Sequence, residues 1–183
     1  MLAYPLYSYN TNQSAHGYMK KHSGFTVLEM MIVVGIIAIL AAMAVPSYMF
    51  KVVREQLETA IPLSALAKKP VEASWLKDQK FPADNTAAGL PAADKIVSNL
   101  VSSVAIQEGA INITFGNNAH GVLKGKVLTL RPAVVEDAPI VPVAWVCAAG
   151  PVPEKMTVKG TDNTTVPPAN LPSYCRPKVT TSK

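Results

Sequence analysis

The sequence predicts an α+β fold: a long N-terminal helix whose second half packs on a roughly four-stranded antiparallel sheet, then a loop-rich end. Three observations predict it. An apolar run at the start passes without interruption into a helical periodicity. Short apolar segments bounded by turn residues follow from position 101. Nine of the 15 prolines then fall between Pro132 and Pro177, which keeps most of the last third out of regular structure. A chain of 183 residues with 16% charged side chains and net charge +5 has the length of one ordinary domain. Its composition excludes a collagen, a coiled coil and a disulfide-rich miniprotein. Two cysteines cannot build a cysteine-only zinc or iron–sulfur site, and no C-x-x-C-H is present for covalent haem.

The helix comes first. From Phe25 to Phe50, 21 of 26 residues are hydrophobic, and Met30 to Val45 is unbroken if Gly35 is counted. Phe25 to Val45 would span about 31 Å as a helix, close to the hydrocarbon thickness of a bilayer. Lys20 and Lys21 precede the run and place the N-terminus on the cytoplasmic side. Lys51 and Arg54 follow it and weaken that asymmetry. Two simpler readings fit the same pattern: a plain membrane anchor, or a secretory signal with Ala42-Met43-Ala44 as its cleavage site. Glu29 argues against both. An ionised carboxylate inside an apolar helix costs about 3 kcal/mol on insertion scales, and an anchor or signal has no use for it. The segment offers no Lys, Arg or His to pair with it. A chain cut just before Phe25 would supply a free α-amino group four residues away.

The second half of the helix is amphipathic. Val53, Leu57, Ile61, Ala67, Val71 and Trp75 recur at three- to four-residue steps, and Lys51, Arg54, Glu55 and Glu58 lie largely off that stripe. Helical character extends to about Lys77. Pro46, Pro62 and Pro70 lie within it, so the residues alone allow one kinked helix or three short ones. Residues 78–100 read as a polar, Ala-rich connector with Pro82, Gly89 and Pro91. Val101–Gln107 and Ala110–Phe115 flank Glu108-Gly109, a short hairpin signal. After a Gly/Asn loop at 116–121, Gly125–Leu130 reads as a third strand and Ile140–Ala148 as a fourth.

The stretch Gly24-Phe25-Thr26-Val27-Leu28-Glu29-Met30-Met31-Ile32-Val33-Val34 closely resembles the prepilin signature of type IV pilins. In that family a membrane prepilin peptidase cuts after the glycine and methylates the new N-terminal phenylalanine. The resemblance therefore implies cleavage between Gly24 and Phe25, N-methylation of Phe25, and an assembly role for Glu29 with the Phe25 amine. Pro46 matches a proline common in these helices, which favours one long kinked helix with a protruding hydrophobic half. The implied organisation is a leader at 1–24, a transmembrane and filament-core helix at 25–50 and a globular head at 51–183. A 24-residue leader is long for the short-leader class. A start at Met19 would leave six residues of the usual basic kind, so residues 1–18 read as an upstream start-site artefact, with a real long leader as the alternative.

Cys147 and Cys175 are the only cysteines. They could be unrelated buried thiols, but the compartment beyond the membrane is oxidising and favours a disulfide. The pairing also matches the C-terminal disulfide region of type IV pilins. Such a bond would close a loop of about 28 residues and contribute roughly 3.5 kcal/mol.

As a member of that family the protein is expected to be a structural pilus subunit and not an enzyme. Its cofactors, catalytic residues and metal ligands are expected to be none. Its partners would be other pilin subunits in a helical homopolymer, the prepilin peptidase, the inner-membrane assembly machinery and membrane lipid before assembly. It would wait in the inner membrane as a precursor and end in an extracellular pilus serving adhesion, twitching motility or DNA uptake. Two alternatives share the leader and Glu29. One is a DNA-binding minor pilin for transformation. It would use the basic residues Lys155, Lys159, Arg176, Lys178 and Lys183, set against Glu154 and Asp162. A solvated rim is the plainer reading of those charges. The other is a type II secretion pseudopilin, which the two cysteines and the Pro-rich end disfavour. His120 lies in a Gly/Asn loop with no ligand partner at metal spacing. No G-x-S-x-G, Walker A or G-x-G-x-x-G occurs. Asn112-Ile113-Thr114 and Asn163-Thr164-Thr165 match the N-glycosylation pattern by composition alone.

Overall fold

The computed structural model describes residues 24–178, apart from the side chains of 45–47. Residues 1–23 of the expected leader, with its alternative start, and Lys183 lie outside the described residues. Contacts divide the chain into two units, Met1–Ala42 and Met43–Lys183.

Helix α1 (Val27–Ala60) begins in the first unit and ends in the second. A single 3-10 turn, Ile61–Ser64, follows, and α2 (Ala65–Asp78) continues the course. The expected single helix to Lys77 is therefore interrupted once, at Pro62. Proline has no N–H to give and crowds the carbonyl a turn earlier, so tightening to 3-10 geometry relieves both. Ser64 Oγ donates to Ile61 O at 2.6 Å across this turn. Pro70 lies inside α2, and position 46 lies inside α1. Three prolines thus produce one break. Gln79 ends α2 in the left-handed conformation, its N–H bonded to Trp75 O at 3.0 Å.

In the second unit the amphipathic stripe behaves as its spacing requires. Val53, Leu57, Ala60, Ala67, Val71 and Trp75 are buried, and all but Trp75 join one core with the inward residues of the sheet. Ile61, counted in the stripe from sequence, is half-buried, because the 3-10 turn rotates it off the helical face.

The sheet is antiparallel with order β1-β2-β3-β4 and a fifth strand on β3. Strands β1 (Val101–Gln107) and β2 (Ala110–Phe115) have the boundaries expected from sequence. Glu108 and Gly109 both carry positive φ, 48° and 83°, as a two-residue hairpin turn requires. Gly109 has a second reason: a Cβ there would lie 2.7 Å from Phe81.

Strand β3 (Val127–Val134) runs four residues past its expected end, through Pro132. Leu130 pairs with Ile111 of β2 on one side and Cys147 of β4 (Ala144–Cys147) on the other. Beyond Leu130, β2 has turned into its hairpin. Strand β5 (Thr157–Val158) takes over on that side, pairing Ala133 with Val158 and Val134 with Thr157. Pro132 sits at the changeover. Its carbonyl accepts from Lys159 N–H at 2.8 Å, so its missing N–H faces the same junction and deprives no ladder bond. β4 is shorter than the expected 140–148.

The connector 78–100 caps the exposed edge of β1. Buried Asn85 donates to Pro91 O and Val104 O, each at 3.0 Å, and its Oδ1 accepts from Ile106 N–H at 2.6 Å. Its side chain thus stands in for part of a neighbouring strand. Phe81 stacks on Trp75 with ring centres 4.9 Å apart. On the far side, residues 163–166 finish the β3 edge where β4 does not reach. Thr165 N–H bonds Val127 O at 2.9 Å, and the Thr165 and Thr164 hydroxyls accept from the Val127 and Thr129 N–H groups. The Pro-rich third is irregular but tied down at both edges of β3.

Candidate functional site

Gly24, Phe25 and Thr26 precede the helix and are exposed. Among the described residues nothing lies within 4 Å of a Cβ built on Gly24. Thr26 is the N-cap of α1. Its carbonyl accepts the Met30 N–H at 3.2 Å, and its hydroxyl accepts the Glu29 N–H, also at 3.2 Å. Thr26-Val27-Leu28-Glu29 is thus the T-x-x-E pattern of a capping box, with Glu29 at its third helical position. A carboxylate there is also favoured by the helix dipole. Glu29 is therefore a capping residue as well as the buried-charge and assembly candidate that its place in the apolar run suggests. The same four residues carry the cap signal in sequence. The side chain of Glu29 is exposed, with no ion pair among the described residues.

Among the described residues none covers the apolar side chains that follow. From Val27 to Ala44 each residue is exposed, Val27 at 79%, Leu40 at 61% and Val33 still at 39%. The helix is long and apolar enough to cross a membrane. A helix apolar all round needs lipid or other apolar helices around it, and water is the wrong environment for it.

In the second unit, Cys147 at the end of β4 and Cys175 in a 3-10 turn (Ser173–Cys175) form a disulfide closing a separation of 28 residues. Both are buried among core residues including Val166 and Leu171. Gly150 makes the turn out of β4 possible, because a Cβ there would lie 2.2 Å from Tyr174 O.

The basic residues suggested for DNA are not gathered by a common contact. Lys159 is ion-paired with Glu136. Arg176 is folded onto its own loop, with Nε donating to Leu171 O at 2.8 Å and Nη2 to Ala169 O at 2.9 Å. Lys155 and Lys178 are exposed. Asn112 is buried and accepts from the Thr129 hydroxyl at 2.8 Å, which removes it as a glycan acceptor. The Nδ2 of Asn163 donates to Gln107 Oε1 at 3.0 Å. The backbone N–H of His120 donates to Gln56 Oε1 at 2.8 Å. No cluster of potential metal ligands occurs among the described residues.

Sequence reasoning missed a polar cluster joining α2 to β4. Trp145 Nε1 donates to Glu72 Oε1 at 2.7 Å, and Lys68 Nζ lies over the same indole, 5.5 Å from its centre. Burial lowers the pKa of Lys68, and the Glu72 charge opposes that shift. Burial, with the Glu58 charge adding to it, raises that of the Tyr174 phenol.

Residues 53–176, the region of buried stripe, sheet and disulfide, match the pilins of bacterial filaments. The chain belongs to the pilin family. Residues 19–45 match the prokaryotic N-terminal methylation motif, which covers Gly24, Phe25 and Glu29. This pilin is 32% identical over 162 residues to a fimbrial protein of Neisseria meningitidis serogroup B, covering 84% of this chain and 93% of the relative. It is 33% identical over 160 residues to the type IV major pilin protein PilE of Neisseria gonorrhoeae, with the same coverage. It is 37% identical over 130 residues to the fimbrial protein EcpC of Eikenella corrodens, covering 69% of this chain and 82% of that one. As a pilin it is a structural filament subunit. These relatives lend no weight to the pseudopilin or DNA-binding minor pilin readings.

Proposed function

We propose that this pilin is a subunit of a type IV pilus, made as a membrane precursor and polymerised through the first half of α1. The observation that carries the proposal is the apolar helix, covered by none of the described residues, that begins directly after the Gly24–Phe25 peptide. The precursor waits in the inner membrane with that helix in lipid. Prepilin peptidase cuts between Gly24 and Phe25 and methylates the new amine. The assembly machinery then transfers the helix from lipid into a bundle of like helices, so its apolar surface need not meet water on the way. The Glu29 carboxylate pairs with a Phe25 amine of the same chain or a neighbour. A buried carboxylate left unpaired is costly, so this pairing sets the register of subunits. The pilus so formed would reach the cell surface and serve adhesion, twitching motility or DNA uptake.

Mass spectrometry of sheared surface filaments tests the reading. Abundant chain beginning at N-methylated Phe25 is the expected result. A chain beginning at Val45 would restore the secretory-signal reading. Glu29→Val should leave leader cleavage intact and abolish most piliation, and normal piliation in that variant would sink the proposed register role.

A further inference from the structure

The outer edge of β4 carries backbone groups without partners. Strand β4 stands last in the sheet order, so only one of its edges meets β3. Alternation along β3 decides which groups meet there. Thr129 O accepts the Ala148 N–H at 2.8 Å, on the β4 side, whereas Pro132 O accepts the Lys159 N–H, on the β5 side. Successive residues of a strand aim their amide groups at opposite edges, so Arg131 and Ala133 face β4 while Leu130 and Pro132 face away. Arg131 lies opposite Val146 and Ala133 opposite Ala144, and these pairs exchange the ladder bonds. Trp145 and Cys147, opposite Pro132 and Leu130, therefore turn their N–H and C=O groups outward. The Cys147 carbonyl is taken by the Gly150 N–H at 2.8 Å. Among the described residues the Cys147 N–H and both Trp145 groups have no partner. Cys147 is buried and Trp145 half-buried, so leaving these groups unbonded is costly. The β1 edge, by contrast, is served by Asn85.

The disulfide brings a later part of the chain to this edge. The Cα of Cys175 lies 4.7 Å from that of Cys147. Tyr174 O would lie 2.2 Å from a Cβ on Gly150, the residue bonded to the outward Cys147 carbonyl, so the chain arrives on the outer side of β4. Arg176 is extended, with φ −93° and ψ 150°. Pro177 lines a concavity with Ala148 and Ala149, where β4 ends. Residues 179–183, outside the described residues, read Val-Thr-Thr-Ser-Lys. Val and Thr favour strands, and a lysine is a common guard on an edge strand. Five extended residues span about 17 Å, and β4 from Cys147 back to Ala144 spans about 10 Å. We propose that residues 179–183 turn back at Lys178 and add to the sheet as an edge strand antiparallel to β4. They take up the Cys147 N–H and the N–H and C=O of Trp145. A bare edge invites pairing with the sheet of another copy. The added strand closes that route and leaves association to other surfaces of the subunit. The inference holds whether or not the subunit begins as a membrane precursor.

The test reads backbone amide hydrogen exchange in the full-length chain in neutral detergent, resolved to single residues by fragmentation mass spectrometry. The Trp145 and Cys147 amides should exchange roughly tenfold more slowly in the unaltered protein than in a chain stopped after Lys178, the effect of one lost hydrogen bond on each. Thr180→Pro/Thr181→Pro keeps the length of the segment but removes two of its donors, and should match the stopped chain. The Val146 amide, bonded within the β3–β4 ladder, should stay protected in all three proteins and reports an intact sheet. Fast exchange at Trp145 and Cys147 in the unaltered protein, equal to that of the stopped chain, would overturn the added strand. Equally slow exchange in all three would overturn it too, because something other than residues 179–183 would then cover the edge. Protection that grows with protein concentration would give the edge to a second copy and overturn the segment as its occupant.

Discussion

Leu40 and Leu57 belong to one helix and meet opposite fates: Leu40 is 61% exposed and Leu57 is fully buried. The difference lies in what surrounds each in sequence. Around Leu40 every direction of the helix is apolar, so no single face can be satisfied by one sheet. Around Leu57 the apolar residues form a stripe, with Arg54, Glu55 and Glu58 turned to water, and one sheet suffices. The first region is incomplete within a single chain and the second is complete. What the first region lacks is an apolar environment from outside the chain, lipid or other helices.

The comparison can be broken from either side. The largest stability effect should come from opening the disulfide: Cys147→Ala/Cys175→Ala should lower the unfolding free energy of the second unit by about 3.5 kcal/mol through loop entropy. Denaturant titration of the full-length chain in detergent, followed by Trp75 and Trp145 fluorescence, measures it. Leu57→Ala should cost about 3 kcal/mol in the same assay, through lost burial and the cavity left behind. Asn85→Ala should cost about 2 kcal/mol, because a buried side chain that now bonds Val104 and Ile106 would leave both unpartnered. Leu40→Ala should change that unfolding by less than about 0.5 kcal/mol, since Leu40 is largely exposed and belongs to no core among the described residues. A large effect at Leu40 would erase the distinction between the regions.

The smallest expected effect is a pH dependence. The Tyr174 phenol has a raised folded pKa, so above its ordinary value near 10 the unfolded chain loses this proton first. The folded form then binds more protons, and stability falls as pH rises through that window. Lys68 acts with the opposite sign. Its folded pKa is lowered, so stability rises with pH between that lowered value and 10.5. Tyr174→Phe should therefore lose less stability than the unaltered protein above pH 10, and Lys68→Met should lose the rise below that. Parallel pH–stability curves for all three proteins would contradict both assignments.

Some of this architecture was plain in the amino-acid order. The β1–β2 hairpin followed from Glu108-Gly109, because a tight turn between two apolar runs is a matter of adjacent residues. The processing signature, the all-apolar run and the buried stripe are likewise local, each a spacing within a few turns of helix. The Thr26–Glu29 cap is equally local, a T-x-x-E spacing within one turn, although the acid in an apolar run draws attention first as a charge. Pro62 was seen, but which of three prolines would break the helix was not, since that depends on what each turn packs against.

Other features have no local signature. Strand β5 has two residues, and only the end of β2 beside β3 gives them an edge to join. Pro132 reads as a strand breaker until the changeover between two neighbours leaves its missing N–H without a task. Asn85 is an ordinary polar residue in a connector until β1 presents an unpaired edge to it. Arg54 and Arg176 are separate surface charges until the disulfide loop brings them to one oxygen, that of Ala169. Helical period, turn chemistry and a cleavage motif act between neighbours in the chain, so order alone encodes them. Strand exchange, edge capping and converging charges act between residues tens to more than a hundred positions apart, and the folded chain is what brings those residues together.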